Sequence, residues 1–281
     1  MSRPDFLIIG AMKSGTSTLA AQLGEQDGIF MSVPKEPNFF SDDDVFARGR
    51  DWYAALFAGA APGDLRGEAS THYTKLPTYP ETVARARAVL EAPRLVYMIR
   101  NPVERAVSHF IHEWSQGVMS DDMTAEFART PEIVDYGRYA MQIRPWIEEY
   151  SADAVHLTSL EAMQADPQRV LSEVAAFIGH PGEVTWVEAR ARENVSAERI
   201  RKFPLHGLLI DNPVAETLRR TLVPQGLRDR IKRARQMHDR PQLPDMLRAA
   251  LEATFTEDYV ELARHFPGHA RLSASYPFVV P

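Results

Sequence analysis

The chain contains no cysteine, and basic residues are not in excess. The first absence excludes disulfide bonds, thiolate nucleophiles and cysteine-ligated metal sites. The second follows from 32 Lys and Arg residues against 38 Asp and Glu residues, which give a formal net charge of −6 over 281 residues. A general nucleic-acid binder is usually basic overall. We therefore expect no nucleic-acid partner.

Long apolar runs are also missing. No run approaches the about 20 residues that a membrane-spanning helix needs. The first residues lack the apolar segment and cleavage pattern of a secretory signal. Hydrophobic residues make up 44% of the chain and charged residues 25%, as in ordinary soluble globular proteins. We expect no transmembrane segment and a cytoplasmic localisation.

The most informative stretch is an apolar run at residues 6–9, followed by a turn that contains Gly10 and Gly15. The run predicts a buried strand, and the hydroxyl residues after Gly15 open a predicted helix. The unpaired N–H groups at such a helix start, together with the helix dipole, favour the binding of a phosphate. The residues of this predicted anion-binding cradle are Lys13, Ser14, Gly15, Thr16, Ser17 and Thr18.

The cradle differs from the Walker A pattern, in which a lysine directly follows the second glycine. Thr16 stands at that position, and Lys13 lies between the two glycines. Two interpretations are open: an anion site, and an ordinary glycine-containing turn with surface hydroxyls. The lysine and the three consecutive hydroxyl residues favour the anion site.

Strands and helices alternate from the start of the chain to about residue 180. Besides residues 6–9, strong predicted strands lie at residues 95–100 and 155–158, with a short one at 28–31. Alternation of this kind predicts βαβ units around a parallel sheet. The predicted fold class is α/β, as a three-layer α/β/α arrangement with a central parallel sheet.

No linker, internal repeat or low-complexity tract divides the chain. We expect one domain over residues 1–281, with an α/β core at about residues 5–180 and a helical or irregular part at about 181–281. Within the core, the polar residues 117–131 are expected to be irregular. Residues 228–240 carry many positive charges, which is typical of a solvated helical face; a dock for an anionic acceptor is the alternative.

A second cationic position follows the strand at residues 95–100, which ends in Arg100. Ligands of open parallel sheets bind at the carboxyl ends of the strands, so Lys13 and Arg100 should face one crevice. Ser108, about two turns into the next helix, can add a hydroxyl. A surface ion pair with Glu104 is the alternative for Arg100. Together the two cationic positions suit a ligand with two separate anionic groups and no obligatory metal.

Two of these segments resemble those of sulfotransferases that use 3′-phosphoadenosine 5′-phosphosulfate (PAPS). Residues 13–18 resemble the loop that holds the 5′-phosphosulfate, and residues 100–109 (RNPVERAVSH) resemble the segment that binds the 3′-phosphate. Residues 35–40 (KEPNFF), 51–53 (DWY) and 67–70 (GEAS) resemble the heparan sulfate-type N- and 3-O-sulfotransferase branch. The resemblance covers about residues 5–180.

The resemblance implies a P-loop nucleotide hydrolase-like sulfotransferase fold and transfer of a sulfuryl group from PAPS, with adenosine 3′,5′-bisphosphate as product and no metal. It implies that Arg100 and Ser108 bind the 3′-phosphate. In-line transfer needs charge stabilisation on the leaving phosphate, and Lys13 is placed to supply it.

The chain departs from the heparan-type pattern at Asn38, Ser41 and Ala69, where that branch often has His, Asp and Lys. With the acidic net charge, these differences lead us to expect a small-molecule or carbohydrate acceptor, such as a glycolipid, an oligosaccharide or a natural product. A hydroxyl is the expected nucleophile, rather than an amine. The late basic loop of that branch is not evident; its candidate replacements are Arg199, Arg201 and Lys202.

The acceptor must lose a proton, so a base is needed beside the sulfur. Glu36, in a proline-bounded loop expected to be extended and rigid, is the candidate, and the resemblance implies the same role. A solvated ion pair with Lys35 is its alternative. His72 and His109 are the other candidates for the base. His109 and His112 share a helix face, but no third ligand is evident, so no metal site is expected.

Two rival functions have other signatures. A P-loop small-molecule kinase or nucleotide hydrolase would need magnesium and, as a rule, an acidic strand end rather than Arg100. A non-catalytic nucleotide-binding module would bind the donor without turning over any acceptor. The sequence gives no oligomeric state.

Overall fold

The computed structural model describes residues 3–191 and 240–279. Within them, five parallel strands form one sheet in the order β2-β3-β1-β4-β5. The strands are β1 (Phe6–Gly10), β2 (Ile29–Met31), β3 (Leu65–Ala69), β4 (Arg94–Ile99) and β5 (Val155–Ser159).

The central strand β1 is apolar throughout because both faces of the sheet are covered. Phe6 and Ile8 lie in one hydrophobic cluster, Leu7 and Ile9 lie in the other, and all four are fully buried. Successive side chains of a strand point to opposite faces, so a run without polar alternation fits a sheet between two helical layers.

The helices of the described residues are α1 (Thr16–Gly24), α2 (Asp43–Phe46), α3 (Gly49–Ala55), α4 (Thr82–Val89), α5 (Pro102–Gln116), α6 (Met123–Arg129), α7 (Glu132–Asp135), α8 (Tyr139–Tyr150), α9 (Leu160–Ala165), α10 (Pro167–Ile178), α11 (Glu188–Ala191), α12 (Asp245–His265) and α13 (Ala270–Ser275). Short 3-10 helices lie at Thr71–Thr74 and Ala152–Ala154. Helices α1, α9 and α10 cover one face of the sheet, while α4, α5, α8 and α12 contribute to the cluster on the other. The prediction of a three-layer α/β/α fold with a central parallel sheet is confirmed.

Local sequence signals set the bounds of α5, the helix that follows β4. The Asn101 side chain accepts hydrogen bonds from the N–H groups of Val103 (3.0 Å) and Glu104 (3.3 Å). Pro102 occupies the first helical position, and Gly117 ends the helix in the left-handed conformation. Proline at the start and glycine just past the end are the preferred helix boundaries. These boundaries hold α5 directly behind the end of β4.

The prediction that residues 117–131 are irregular is wrong, because α6 (Met123–Arg129) lies within them. The Asp122 side chain caps this helix by accepting from the N–H of Ala125 at 3.0 Å. Met123 and Phe127, four residues apart, are both buried. This apolar pair stabilises a helix whose exposed positions are polar enough to conceal it in the sequence.

The long helix α12 packs against α8 and fixes its start. The buried Asp258 carboxylate accepts hydrogen bonds from the N–H groups of Ala140 (2.9 Å) and Met141 (3.2 Å). Burial raises the pKa of Asp258 to about 6. Among the described residues, no helix combines the length and the apolar composition needed to cross a membrane.

The close approach of β3 to its neighbours gives a test of the sheet packing. A Cβ added to Gly67 would lie 2.1 Å from Phe6 Cζ and 2.7 Å from Met31 Sδ. We expect Gly67→Ala to lower the free energy of unfolding by about 1–3 kcal/mol, because the core must shift to admit the methyl group.

The matched control is Gly24→Ala, where the new Cβ meets only Met31 side-chain atoms at 3.4 Å and beyond. We expect this variant to unfold at the wild-type denaturant midpoint or slightly above it. Equal midpoints for the two variants in urea titrations would contradict the packing of β3 described above.

Candidate active site

The turn between β1 and α1 forms the predicted cradle at the carboxyl edge of the sheet. Lys13 and Gly15 both have positive φ, at 67° and 92°, which wraps the backbone around the helix start. The first turn of α1 has no acidic residue, and no side chain of the described chain caps it. Its N–H groups and dipole therefore present a positive end to the crevice.

The members of the cradle differ in burial. Ser14 and Thr16 are buried, whereas Lys13, Ser17 and Thr18 are partly exposed. Gly15 packs tightly: a Cβ there would lie 2.9 Å from Leu160 Cδ1. The backbone of the turn is thus packed against the core at Gly15. The side chains of Lys13, Ser17 and Thr18 remain accessible to a ligand.

Arg100 meets the cradle, as predicted from the ends of adjacent strands. Its Nη1 donates a hydrogen bond to the main-chain oxygen of Lys13 at 3.4 Å. Its own main chain is held by Tyr139, whose hydroxyl donates to the Arg100 oxygen at 2.8 Å. Burial, followed by the charge of Arg240, lowers the pKa of Arg100. The guanidinium is therefore fixed at the rim of the crevice.

The alternative ion pair of Arg100 is present but long. Arg100 Nη2 lies 3.8 Å from Glu104 Oε2, whereas Arg240 Nη2 lies 2.5 Å from the same oxygen. Arg240 is the described end of the predicted basic stretch; residues 228–239 lie outside the described residues. Arg240 thus neutralises Glu104 and leaves the Arg100 guanidinium less engaged by this carboxylate.

Ser108 lies four residues after Glu104 on α5 and is partly exposed. Residues four apart share a helix face, so Ser108 lies on the side of α5 that faces Arg100. The three late basic residues suggested as completing this part of the site, Arg199, Arg201 and Lys202, lie outside the described residues.

The loop after β2 brings Glu36 to the cradle. Lys35 Nζ donates hydrogen bonds to Glu36 Oε1 and to Ser17 Oγ, both at 2.7 Å. The ion pair offered as the alternative for Glu36 is therefore formed, and the same lysine ties the carboxylate to the start of α1. Lys35 and Glu36 side chains remain 41% and 32% exposed, so a ligand can displace this contact.

The expectation that this loop is extended is wrong at two residues. Glu36 and Asn38 have φ of 54° and 55°, in the left-handed region. Side chains other than glycine rarely adopt it without support. The support is tertiary, because the Glu36 N–H donates to the Ala69 oxygen at 3.1 Å and the Asn38 N–H donates to Ser70 Oγ at 3.2 Å.

A buried carboxylate, to which the sequence analysis assigns no role, anchors that support. Glu68 Oε1 accepts hydrogen bonds from Ser70 Oγ (2.8 Å) and from the Tyr73 hydroxyl (2.5 Å), and Glu68 Oε2 accepts one from the Tyr53 hydroxyl. Glu68 is fully buried, and burial raises its pKa. The hydrogen bonds that link Glu68 to Ser70 and Ser70 to Asn38 hold the loop that carries Glu36.

The two histidines weighed as bases are poor candidates for that role. Burial, with a contribution from Lys75, lowers the pKa of His72 to about 4, and its ring stacks on Tyr79 at 4.7 Å. Burial, followed by Arg105 and Lys75, lowers the pKa of His109 to about 2. Both rings are therefore neutral near pH 7 and too weakly basic to take a proton from a hydroxyl.

His109 and His112 do not form part of a metal cluster in the described residues, which contain no group of three or more His, Cys, Asp or Glu suited to a metal ion. His109 packs on Tyr136, with ring centroids 5.6 Å apart. Its Nε2 lies 3.7 Å from Glu113 Oε1.

Three side chains of the site have positions that sequence reasoning missed: Lys35 as a bridge, Glu68 as an anchor and Lys75 as a neighbour of both histidines. Lys35 and Glu68 stand inside the KEPNFF and GEAS segments. A charged residue in the middle of an otherwise buried strand end is the signal by which Glu68 could have been found, because such groups are buried only when hydrogen-bonded.

The effect of the Lys75 charge on the two histidines gives a test by titration. Its positive charge lowers the pKa of both His72 and His109. We expect Lys75→Met to raise both pKa values, because removal of a nearby like charge favours the protonated ring.

His156 is the internal control, since burial also lowers its pKa to about 4 but Lys75 is not among the charges that act on it. Histidine titration by nitrogen-detected NMR measures all three. Equal changes in the pKa values of His72 and His156 would contradict the position of Lys75 in the structure. An unchanged pKa for both His72 and His109 would also contradict it.

The chain is similar to known proteins in sequence and in fold. The sulfotransferase domain model matches residues 3–220. A bifunctional heparan sulfate N-deacetylase/N-sulfotransferase 1 of Caenorhabditis briggsae is 25% identical over 206 residues, which cover 64% of this chain and 23% of the relative. A mouse heparan sulfate glucosamine 3-O-sulfotransferase 3B1 is 28% identical over 188 residues, which cover 63% of this chain and 46% of the relative. The chain thus matches less than half the length of these curated relatives.

Solved structures support the same fold. A sulfotransferase from Alicyclobacillus acidocaldarius superimposes with a TM-score of 0.67 at 22% identity, covering 94% of this chain and 96% of that one. A mouse sulfotransferase complexed with PAP superimposes with a TM-score of 0.52 at 18% identity, covering 99% and 90%. Since the domain model spans most of the chain and the fold agrees, this protein belongs to the sulfotransferase domain family.

Proposed function

We propose that the protein transfers the sulfuryl group of PAPS to a hydroxyl of a carbohydrate, glycolipid or small natural-product acceptor. The observation that carries the proposal is the contact between Arg100 Nη1 and the Lys13 oxygen, which joins two cationic positions at one edge of the sheet. A nucleotide with separate 5′ and 3′ anionic groups matches that pair. We also propose that residues 1–281 form a single sulfotransferase domain.

In this proposal Lys13, Ser14, Gly15, Thr16, Ser17 and Thr18 hold the 5′-phosphosulfate. The uncapped start of α1 supplies N–H donors, and Lys13 supplies a full charge. Negative charge grows on the leaving phosphate oxygen as its bond to sulfur breaks. A lysine already in place stabilises that charge without reorganisation.

Arg100 and Ser108 hold the 3′-phosphate. A guanidinium suits a phosphate because its donors form a planar fork that matches two oxygens. The pairing of Glu104 with Arg240 supports this role, since it satisfies the carboxylate that would otherwise compete with the ligand. An arginine at the end of β4, where a metal-binding acid stands in many phosphoryl-transfer enzymes, disfavours the kinase alternative.

Glu36 acts as the general base in this proposal. Lys35 bridges the Glu36 carboxylate to Ser17 of the cradle by hydrogen bonds to both, and Ser70 anchors the loop that carries it. Such anchoring keeps the acceptor and the donor in the attack geometry. The Lys35 ammonium must release the carboxylate oxygen that takes the proton, and the exposure of both side chains allows that exchange.

Radiolabelled PAPS tests the proposed function directly. The protein is incubated with this donor and an extract of its native cells, and labelled products are separated and identified. Label in an acceptor, dependent on the protein and independent of chelator, supports the proposal. Magnesium-dependent phosphoryl transfer from ATP, with no labelled product from PAPS, would favour the kinase, and donor binding with no labelled product would favour the non-catalytic module.

Replacing Arg100 tests the 3′-phosphate assignment. We expect Arg100→Ala to weaken the affinity for adenosine 3′,5′-bisphosphate by about ten- to one-hundred-fold, which corresponds to the loss of a charged hydrogen bond. The affinity for adenosine 5′-phosphate should change little. Calorimetry with both nucleotides measures the difference. Arg94→Ala is the matched control: Arg94 lies on the same strand at the opposite edge, where it donates to the Phe177 oxygen. An equal loss of affinity for both nucleotides would contradict the assignment of Arg100 to the 3′-phosphate.

Replacing Glu36 tests the base. We expect Glu36→Gln to bind donor normally and to lose roughly two to four orders of magnitude in transfer, because the amide keeps the shape and lacks basicity. Single-turnover transfer measures the rate. Glu91→Gln, an exposed carboxylate paired with Arg3 away from the crevice, is the control. If Glu36→Gln transferred sulfate at nearly the wild-type rate while His72→Ala transferred it slowly, His72 would be the base instead.

A further inference from the structure

Lysine is scarce in this chain and concentrated at the crevice. Only five of its 32 basic residues are lysines, and the rest are arginines. Three of the five belong to the described residues, and all three lie around the candidate site: Lys13 in the cradle, Lys35 at Glu36, and Lys75 beside the two histidines. The first two have roles in the proposed function, whereas Lys75 has none.

The backbone of Lys75 is pinned on both sides. On one side, Thr74 Oγ1 donates to the Ile9 oxygen at 2.9 Å, at the end of β1 where the cradle begins. On the other side, the Leu76 N–H donates to Gln142 Oε1 at 2.7 Å, and Gln142 Nε2 donates to the Leu76 oxygen at 2.9 Å. The backbone of Lys75 is therefore held near the end of β1, where the cradle begins.

The Lys75 ammonium is partly withdrawn from water without gaining an anionic partner. It lies 5.6 Å from the centroid of the Tyr136 ring, whose hydroxyl is 2.5 Å from Thr78 Oγ1. Within residues 3–191 and 240–279 it forms no hydrogen bond and no ion pair, in contrast to Lys35, which forms two short contacts. A desolvated cation that lacks a partner is costly unless a ligand supplies one.

The surroundings reinforce the need for an anion. The fully buried Arg105 adds a like charge, and its Nε and Nη1 find no hydrogen-bond partner among the described residues. The buried His109 has an unpartnered Nδ1 in that same part of the chain. The carboxylates that act on Lys75, Glu36 and Glu113, lie too far from it for an ion pair. Burial, against their opposing effect, lowers the pKa of Lys75 to about 8.

We propose that Lys75, seated on the Tyr136 ring, binds an acidic group of the acceptor, so that the acceptor class is a small hydroxyl compound with one carboxylate, sulfate ester or phosphate ester. The inference rests on the proposed function, since it assigns the acceptor side of the same crevice. Lys75 and the candidate base lie at the same edge of the sheet. Thr74 bonds to the Ile9 oxygen at the end of β1, and the Glu36 N–H bonds to the Ala69 oxygen at the end of the adjacent β3.

The structure favours one acidic group over a polyanion. Lys75 is the single lysine of the described residues that is left without an anionic or hydrogen-bonding role, and the charges of Glu36 and Glu113 act on it. Those carboxylates would repel a second or third anionic group brought close to the first. The net charge of −6 acts in the same direction.

Lysine NMR tests the anion subsite without any need for turnover. The few lysines can be converted to carbon-labelled dimethyl-lysines, which keep their charge, and Lys75→Met assigns the Lys75 signal. Acetate and methyl sulfate serve as probes, with methanol as the neutral control, each titrated with and without adenosine 3′,5′-bisphosphate. We expect a saturable shift of the Lys75 signal by both anions that persists with the nucleotide bound. With the nucleotide bound in the cradle, a Lys75 signal that does not shift saturably with either anion overturns the subsite.

Transfer to matched acceptors tests the acceptor class. Each acid that the labelling experiment identifies is compared with its methyl ester, and methyl glucuronide is compared with methyl glucoside. We expect Lys75→Met to lower the ratio of kcat/KM for the acidic acceptor to kcat/KM for its neutral counterpart by about ten- to one-hundred-fold. Arg144→Met, which removes an exposed charge paired with Glu261, should keep the ratio.

The outcomes of the two experiments separate the inference from the function on which it rests. A saturable Lys75 shift with no sulfuryl transfer to any acceptor would leave the anion subsite standing and refute the proposed function. Transfer with equal use of acids and esters, unchanged in Lys75→Met, would refute the inference and leave the function standing.

Discussion

The parallel pairing of β1 with β4 is the constraint on which the site depends. Its register sets Ile8 beside Val96 and Gly10 beside Tyr97, so the turn after β1 and the residue after β4 emerge together. Arg100 therefore reaches the Lys13 oxygen although 87 residues separate them. The proposed function uses this juxtaposition, because a ligand with two separate anionic groups matches two cationic side chains at one edge of the sheet.

A second constraint comes from β3, on the other side of β1. Its end carries Glu68, whose buried carboxylate gathers three hydroxyl groups. Through Ser70 this cluster holds the loop after β2 in an unusual backbone conformation and presents Glu36 to the cradle. The proposed donor side and the proposed base side of the site thus rest on different neighbours of one central strand, and Lys35 joins them at Ser17.

The sequence predicted the sheet because buried parallel strands read as uninterrupted apolar runs, and it predicted the meeting of Lys13 with Arg100 because strand ends share an edge. It did not predict α6, whose buried pair is hidden among polar residues, or the left-handed backbone at Glu36. That conformation depends on a hydrogen bond to Ala69, 33 positions away. The roles of Lys35, Glu68 and Lys75 were out of reach for the same reason, since each follows from tertiary contacts that no local pattern encodes.

The central claim is that the crevice between the ends of β1 and β4 binds a nucleotide through two anionic groups without a metal. Isothermal titration of the protein with adenosine 3′,5′-bisphosphate in the presence of chelator tests it most directly. We expect saturable binding of one nucleotide per chain, unchanged by added magnesium and much tighter than that of adenosine 5′-phosphate. Binding that requires magnesium, or equal affinity for the two nucleotides, would contradict it.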